Sequence, residues 1–312
     1  MSTLATLFNT LRQNLAPELH VHLDIIQQAL ENDGKPLKDK QQKPTNTKSE
    51  FEQLTDLLKS EEWPQAVHPS QICNNDNEQA KQDRANAIVD LVIAESFKGK
   101  RFLDFGTGQG HVTHAAANQD CKVSVGYDIH RPEESKFEWE KNEEKMLLTT
   151  QFKEVKAHAP YDIVLMYDVL DHIRDKQEIN VLKQVKSILS PKGVVYLRCH
   201  PWCGRHGGHY YQQINKAFVN VVFDKKELTK LEYSADEYVT EIKYPQYHYT
   251  HWITKSGFRP DKPIILPSTI ERFFEKTPQI RKRVMALYAD PMKKSRWPNF
   301  QLSQAFLDYV LR

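Results

Sequence analysis

Cysteine is scarce. The 312 residues contain Cys73, Cys121, Cys199 and Cys203 and no others. Four thiols can staple a very small secreted domain but not a chain of this length, so a reducing, cytoplasmic compartment is the expectation. Long apolar runs are also missing. A membrane-spanning helix needs roughly 20 consecutive apolar residues, and no such run occurs. The opening MSTLATLFNTLRQNL has no basic stretch followed by an apolar core, so no signal peptide is expected. Neither sign of charge dominates: 43 Lys and Arg stand against 41 Asp and Glu, a formal net charge of +2. That balance argues against the whole molecule acting as an electrostatic partner of nucleic acid. Repeats and low-complexity arrays are absent. With 39% hydrophobic and 27% charged residues, the chain reads as globular, with room for one large α/β domain and an appendage.

The rhythm of the chain divides it. Leu4, Leu7, Phe8, Leu11 and Leu15, then Val21, Ile25, Ile26 and Leu30, recur at helical spacing and predict an N-terminal helical segment over 1–33. Residues 34–50, GKPLKDKQQKPTNTKSE, have almost nothing to bury and predict a flexible linker. The main domain is expected over 51–312. It opens with a short helix at 50–60 and an ordered loop at 61–78. From about residue 79, helical patterns alternate with the strand-like segments RFLDF, KVSVGYD, MLLTTQF, YDIVLMYD and GVVYLRC. Further helices are expected at 79–97, 133–145 and 174–189. This alternation predicts a doubly wound, mostly parallel sheet covered on both faces.

The first of these strands runs directly into Asp104-Phe105-Gly106-Thr107-Gly108-Gln109-Gly110. Glycine admits positive φ and lets a ligand approach the backbone closely. A glycine-rich turn at the carboxyl edge of a parallel sheet is the place for a nucleotide-type ligand. Phosphate readers use G-x-G-x-x-G, whereas Gly110 comes one residue early here and His111 takes the next position. The preceding Asp104 would repel a pyrophosphate and suits a cationic amino-acid group. A glycine turn with no ligand, beside a capping Asp, is the alternative.

This segment resembles the first motif of class I S-adenosylmethionine-dependent methyltransferases, an acidic residue followed by G-x-G-x-G. Asp128 ends the next strand, where that family places an acidic residue that accepts hydrogen bonds from the ribose hydroxyls. The resemblance implies a Rossmann-like, seven-stranded sheet with an antiparallel last strand near 302–311. It implies S-adenosylmethionine as cofactor, with Asp104, Gly106, Thr107, Gly108, Gly110, Asp128, Ile129 and Asp168 lining its site. In one respect the chain departs from the pattern. MLLTTQF lacks the acidic residue often found near the adenine amino group, so Gln151 or Phe152 stands in its place.

The fourth strand leaves the sheet through Asp168-Val169-Leu170-Asp171-His172. The string is similar to the D-V-L-E-H of family members acting on small molecules and unlike the D/N-P-P-Y/F/W of amino-methylating DNA enzymes. Histidine titrates near neutrality, which makes His172 the candidate base. Alternatively Asp171 or His172 caps the helix at 174–189. The segment RCHPWCGRHGGHYY, residues 198–211, gathers Cys199, His200, Cys203, His206 and His209. A C-x₃-C-x₂-H-x₂-H zinc site, a nucleophilic Cys199 and a polar hairpin are three readings. The preferred one is a substrate loop without metal, in which Arg205 meets an anion and Trp202, Tyr210 and Tyr211 offer stacking surfaces.

Residues 212–244 exceed a minimal domain of this family, and 200–244 are expected to form a substrate loop and cap insertion. The basic stretch 272–296 reads as a solvated face or a nucleic-acid footprint. The expected reaction is methyl transfer to a small or medium polar metabolite, with no membrane partner. The alternatives are a nucleic-acid methyltransferase using 272–296 and a non-catalytic binding module.

Overall fold

The computed structural model describes residues 48–67, 77–93, 95–130, 145–173, 177–200, 210–233, 246–261, 264–267, 277–282 and 304–312. The chain divides into two units, Met1–Ser49 and Glu50–Arg312. The expected N-terminal helix, nearly all of the linker, the helix at 133–145 and most of 272–296 lie outside the described residues.

In chain order the described elements are α1 (Glu50–Lys59), α2 (Glu78–Leu91), β1 (Arg101–Phe105), α3 (His111–Ala117), β2 (Val123–Tyr127), β3 (Met146–Thr149), α4 (Phe152–Ala157), β4 (Tyr161–Tyr167), α5 (Glu178–Ser187), β5 (Leu189–Cys199), α6 (Val219–Val222), α7 (Lys225–Lys230), α8 (Gln246–Lys255), β6 (Ile264–Pro267) and β7 (Gln304–Leu311). A 3₁₀ turn, Leu170–His172, follows β4, and another, Tyr210–Gln212, precedes α6. The strands form one seven-stranded sheet in the order β3-β2-β1-β4-β5-β7-β6. Pairing is parallel from β3 to β5, and β7 runs antiparallel to both β5 and β6. This is the doubly wound sheet expected from the sequence, with its antiparallel last strand.

Alternation along each strand divides the core between two faces. Phe102, Ile163, Leu165, Val194 and Tyr196 pack with Ala85, Ile88 and Val89 of α2 and with Ala115 and Ala116 of α3. Their neighbours Leu103, Val164, Met166, Val195 and Leu197 pack on the other face with Leu182 and Val185 of α5 and with Tyr249, Trp252 and Ile253 of α8. Burial on both faces is why these strands read as continuous apolar runs. Two helices are shorter than the sequence pattern predicts. α2 stops at Leu91, and Ile93 and Phe97 reach the core from the connection, Phe97 lying edge-on to Phe102 at 5.3 Å. α5 spans only Glu178–Ser187, because the final leucine of the predicted pattern, Leu189, opens β5.

A second apolar core lies apart from the sheet. It joins Leu54, Leu58, Trp63 and Ala66 to Tyr210, Ala217–Val219, Val221–Phe223, Leu228 and Ile280. The Trp63 ring stacks on Phe223 at 6.0 Å, and its Nε1 donates to Ala217 O at 2.7 Å. Asn215 closes both backbone groups of Val67, donating to its carbonyl at 2.8 Å and accepting from its amide at 2.9 Å. Asp224 and Glu227 form a reciprocal capping box that starts α7. Arg281 and Lys282 of the basic stretch are exposed, while Ile280 is buried in this core.

Trp63 is 1% exposed, so truncating it removes stacking, burial and a hydrogen bond together. Trp63→Ala is expected to destabilise the second core by about 3–5 kcal/mol. Urea unfolding followed by circular dichroism checks this; an unchanged midpoint would place the indole outside the load of that core.

Candidate functional site

Strand order reverses between β1 and β4, which opens a crevice at the carboxyl edge of the sheet. The glycine loop leaves β1 there. Gly106, Gly108 and Gly110 have φ of +84°, +53° and +91°, values that side chains other than glycine's rarely adopt. The amides of Gly106 and Thr107 both donate to Tyr127 O, at 2.7 and 3.0 Å, which ties the loop to the end of β2. A Cβ on Gly106 would stand 2.3 Å from Val169 Cγ2, and one on Gly110 would stand 2.8 Å from Leu148 Cδ1. At Gly108 a Cβ would meet nothing within 4 Å. Two glycines therefore permit packing, and Gly108 leaves its backbone open to the crevice.

Asp128 stands opposite Gly108. Its Oδ2 accepts from Gly108 N at 3.0 Å and its Oδ1 from His130 N at 3.1 Å. A carboxylate has about four acceptor positions, so capacity remains for hydroxyl donors. Next to it, Ile129 is 65% exposed. Phe105, Tyr127 and Phe152 form a ring cluster at the ends of β1, β2 and α4, with centroids 5.1–6.5 Å apart. Phe152 belongs to this cluster, whereas Gln151 is exposed at the N-cap of α4. An open backbone, a carboxylate and an exposed apolar side chain at a switch point suit a nucleoside with an amino-acid arm, so these residues fit S-adenosylmethionine.

Asp104 turns inwards. It is 4% exposed, and its Oδ2 accepts from the hydroxyls of Thr107 at 2.8 Å and Thr113 at 3.0 Å. Burial pushes its carboxyl up to about 6, against the pull of those two hydroxyls. It braces the glycine loop from within. Gly126, which the sequence reading passed over, makes this brace possible: a Cβ there would stand 2.5 Å from Thr113 Oγ1 and 2.8 Å from Thr107 Oγ1. The only sequence signal was a glycine inside a strand, a mark of close approach.

The end of β4 gathers the other ionisable groups. Asp168 has a left-handed φ of +57°. Its Oδ1 lies 3.1 Å from His200 Nε2, and its Oδ2 lies 3.8 Å from an Arg84 guanidinium nitrogen on α2. Burial alone would raise the Asp168 carboxyl, but the His200 charge and contact hold it below its ordinary value. Burial likewise opposes the His200 imidazolium, and Asp168 raises it above the usual histidine value. Asp171 Oδ2 accepts from His200 N at 3.3 Å, and burial followed by the nearby Asp168 charge raises its carboxyl.

His172 lies half-buried in the 3₁₀ turn beyond Asp171, and the histidine paired with Asp168 is His200. Neither Asp171 nor His172 caps α5, which starts at Glu178 after Gln177. Cys199 is buried inside β5, its Sγ 3.8 Å from Leu307 O, and burial raises its thiol well above the ordinary value. That removes it as a nucleophile. Arg205, Cys203, His206 and His209 lie outside the described residues.

A family model described as a methyltransferase domain matches residues 77–259. A search of curated proteins finds no match. Among solved structures, the chain is similar to a SAM-dependent methyltransferase from Archaeoglobus fulgidus (12% identity, covering 75% of this chain and 93% of that one, TM-score 0.42). It is similar to a further such enzyme from Mesorhizobium loti (13%, 74% and 99%, TM-score 0.45). A third is the 1,6-didemethyltoxoflavin-N1-methyltransferase from Burkholderia thailandensis, with S-adenosylhomocysteine bound (14%, 89% and 97%, TM-score 0.42). Likenesses at these identities and scores say nothing about the acceptor.

Gly108→Leu is expected to fill the crevice and, at a φ of +53°, to strain the loop, so circular dichroism first establishes that the variant is folded. Calorimetry with S-adenosylhomocysteine should show one site on the natural chain and at least ~10-fold weaker binding to the variant, about 1.4 kcal/mol. Unaltered affinity in a folded variant would remove the glycine loop from the cofactor site.

Proposed function

Since the chain belongs to the methyltransferase-domain family and takes its methyl group from S-adenosylmethionine, we propose that it methylates a small or medium-sized polar metabolite enclosed between the carboxyl edge of the sheet and the second core. The connectivity of that core carries the reading. The chain leaves it at Val67 and next appears at the start of α2, where Glu78 Oε2 lies 2.9 Å from His111 beside the glycine loop. It leaves β5 at Cys199 and appears in the second core at Tyr210. After Tyr233 it continues into α8, whose Tyr249 hydroxyl donates to His200 O at 3.0 Å. It leaves β6 at Pro267, contributes Ile280, and enters β7 at Gln304, the partner of Pro267. In each case the end on the sheet lies at the carboxyl edge. In this reading the core so tethered covers the crevice, and a covered crevice suits a small acceptor better than a nucleic-acid strand.

S-adenosylmethionine supplies a methyl group already activated on a sulfonium, so the protein's task is alignment and handling of the acceptor's proton. The open backbone at Gly108, together with Asp128 and Ile129, holds the cofactor, and Asp104 keeps the loop in shape from behind. Asp168, His172 and the loop carrying Arg205 border the acceptor. Arg205 clamps an anionic group of the acceptor in this reading, and its replacement raises KM more than it lowers kcat. In this reading the second core also keeps water from the crevice.

Incubating the full chain with radiolabelled S-adenosylmethionine and separated fractions of a cell extract tests the acceptor class. Label is expected in the small-molecule fraction. Label confined to RNA or DNA would overturn the metabolite reading while leaving the family membership in place.

A further inference from the structure

We propose that cofactor uptake by this chain is linked to a proton on Asp104: the carboxyl behind the glycine loop holds a proton in the free chain under mildly acidic conditions and gives it to solvent when S-adenosylmethionine binds. This goes beyond the acceptor reading and rests on the cofactor site alone. Thr107, between Gly106 and Gly108, ties Asp104 to the loop, and Thr113 ties it to α3. Three oxygens meet there. Asp104 Oδ2 lies 2.8 Å from Thr107 Oγ1 and 3.0 Å from Thr113 Oγ1, and the two hydroxyl oxygens lie 2.7 Å apart. Each hydroxyl has one hydrogen to donate. With Asp104 ionised, both hydroxyls turn to the carboxylate and the contact between Thr107 and Thr113 is left without a hydrogen. A proton on Oδ2 supplies the missing one, and each oxygen then donates once and accepts once around a closed ring. The cluster accommodates both forms of Asp104 with its heavy atoms in place.

Asp104 is 4% exposed, and burial is the largest influence on it, carrying the carboxyl up to about 6. The Thr107 and Thr113 hydroxyls favour the ionised form, and the Asp128 charge at the end of β2 opposes it. The neighbour of Asp104 on β4 is Leu165, which brings no charge. On α3, His111 is turned to Glu78, and His114 is buried one residue beyond Thr113. On α2, Glu78 is also bonded to Lys81, and Arg84 lies towards Asp168. A cation held on the glycine loop favours the ionised carboxylate. S-adenosylmethionine brings a sulfonium and an ammonium against a single carboxylate. Because Asp104 is already buried, the bound cofactor takes little further water from it, so attraction outweighs desolvation. The proton leaves to solvent, and the two hydroxyls stay on the carboxylate.

Affinity for the cofactor is therefore expected to rise with pH through about 6 and to level off above it. Titration calorimetry of the full chain with S-adenosylmethionine, repeated in buffers of different ionisation enthalpy, reads the protons released. Release is expected at mildly acidic pH and fades towards neutrality, and affinity weakens by roughly 10-fold per pH unit at most below the midpoint. Thr113→Val removes a hydroxyl that favours the ionised form, so its climb in affinity moves to higher pH. Asp104→Asn has no proton to give, so release is lost and its residual affinity is flat over the same range. The cofactor-free chain supplies a second readout. A carboxyl raised in the folded state from 3.8 to about 6 stabilises the fold below its unfolded value, and that contribution is lost as pH rises through the folded one. The melting temperature of the natural chain, compared with that of Asp104→Asn, is expected to show this loss. Proton release that persists in Asp104→Asn overturns the proposal, as does an affinity midpoint that Thr113→Val leaves in place. Binding without proton release overturns it alone, whereas no binding at any pH overturns it together with the cofactor site.

Discussion

Two backbone amides converge on one carbonyl oxygen at the carboxyl edge of the sheet. Gly106 N and Thr107 N both donate to Tyr127 O, and that pair of bonds decides where the first strand's loop lies relative to the second strand's end. The geometry requires a positive φ at Gly106 and bare space against Val169. Once it is made, Gly108 faces Asp128, Thr107 reaches Asp104, and Gly110 starts α3. The missing Cβ of Gly126 lets the Asp104–Thr107–Thr113 group close behind the loop. The crevice is thus shaped by backbone, with Asp128 placed by two amides and Asp104 by two hydroxyls.

The neighbouring half of the edge is built from side-chain charge. Arg198 lies between Tyr167 on β4 and Asp308 on β7, binding both, and so joins the parallel part of the sheet to its antiparallel strand. Paired arginine and aspartate in a half-buried place are costly to separate, because either one alone would keep an uncompensated charge. One residue further on, Asp168 and His200 form a second charged pair, this time between the ends of β4 and β5 at the crevice.

Legibility in the sequence followed the range of the interaction. The sheet was legible because strand burial on both faces leaves an apolar run, as in YDIVLMYD, and because a glycine turn after such a run has few other uses. Asp128 was legible from its distance beyond the glycines. The second core was not, because Trp63 and Phe223 meet across 159 intervening positions and the elements around Phe223 are too short to show a period. Asp104 was legible as a residue and misjudged in direction, since only the close approach at Gly126 explains why it faces Thr113. His200 sat in a cluster read as a substrate loop, with a zinc site as one alternative; its tie to Asp168 depends on the pairing of β4 with β5, which local composition does not encode. Capping was the alternative weighed for Asp171 and His172, because α5 was expected to begin just after them.

The antiparallel insertion of β7 has a consequence for how the molecule is made. Among the described residues β6 is hydrogen-bonded only to β7, and β7 occupies the position beside β5. A nascent chain that has emerged as far as residue 303 therefore carries a parallel sheet of five strands with the β5 edge bare, and a sixth strand with nothing to pair with. The contacts between Cys199 and Leu307 and between Arg198 and Asp308 span more than a hundred residues, so closing them is among the slowest kinds of step in folding. Until then β5 presents a free edge rich in Val, Tyr and Leu, the type of surface that pairs with other chains. During synthesis the helices α5 and α8 already cover one face of β5, but they leave its hydrogen-bonding edge open. The interval between translation of β5 and arrival of β7 is thus the stage at which this protein is most dependent on dilution or a chaperone.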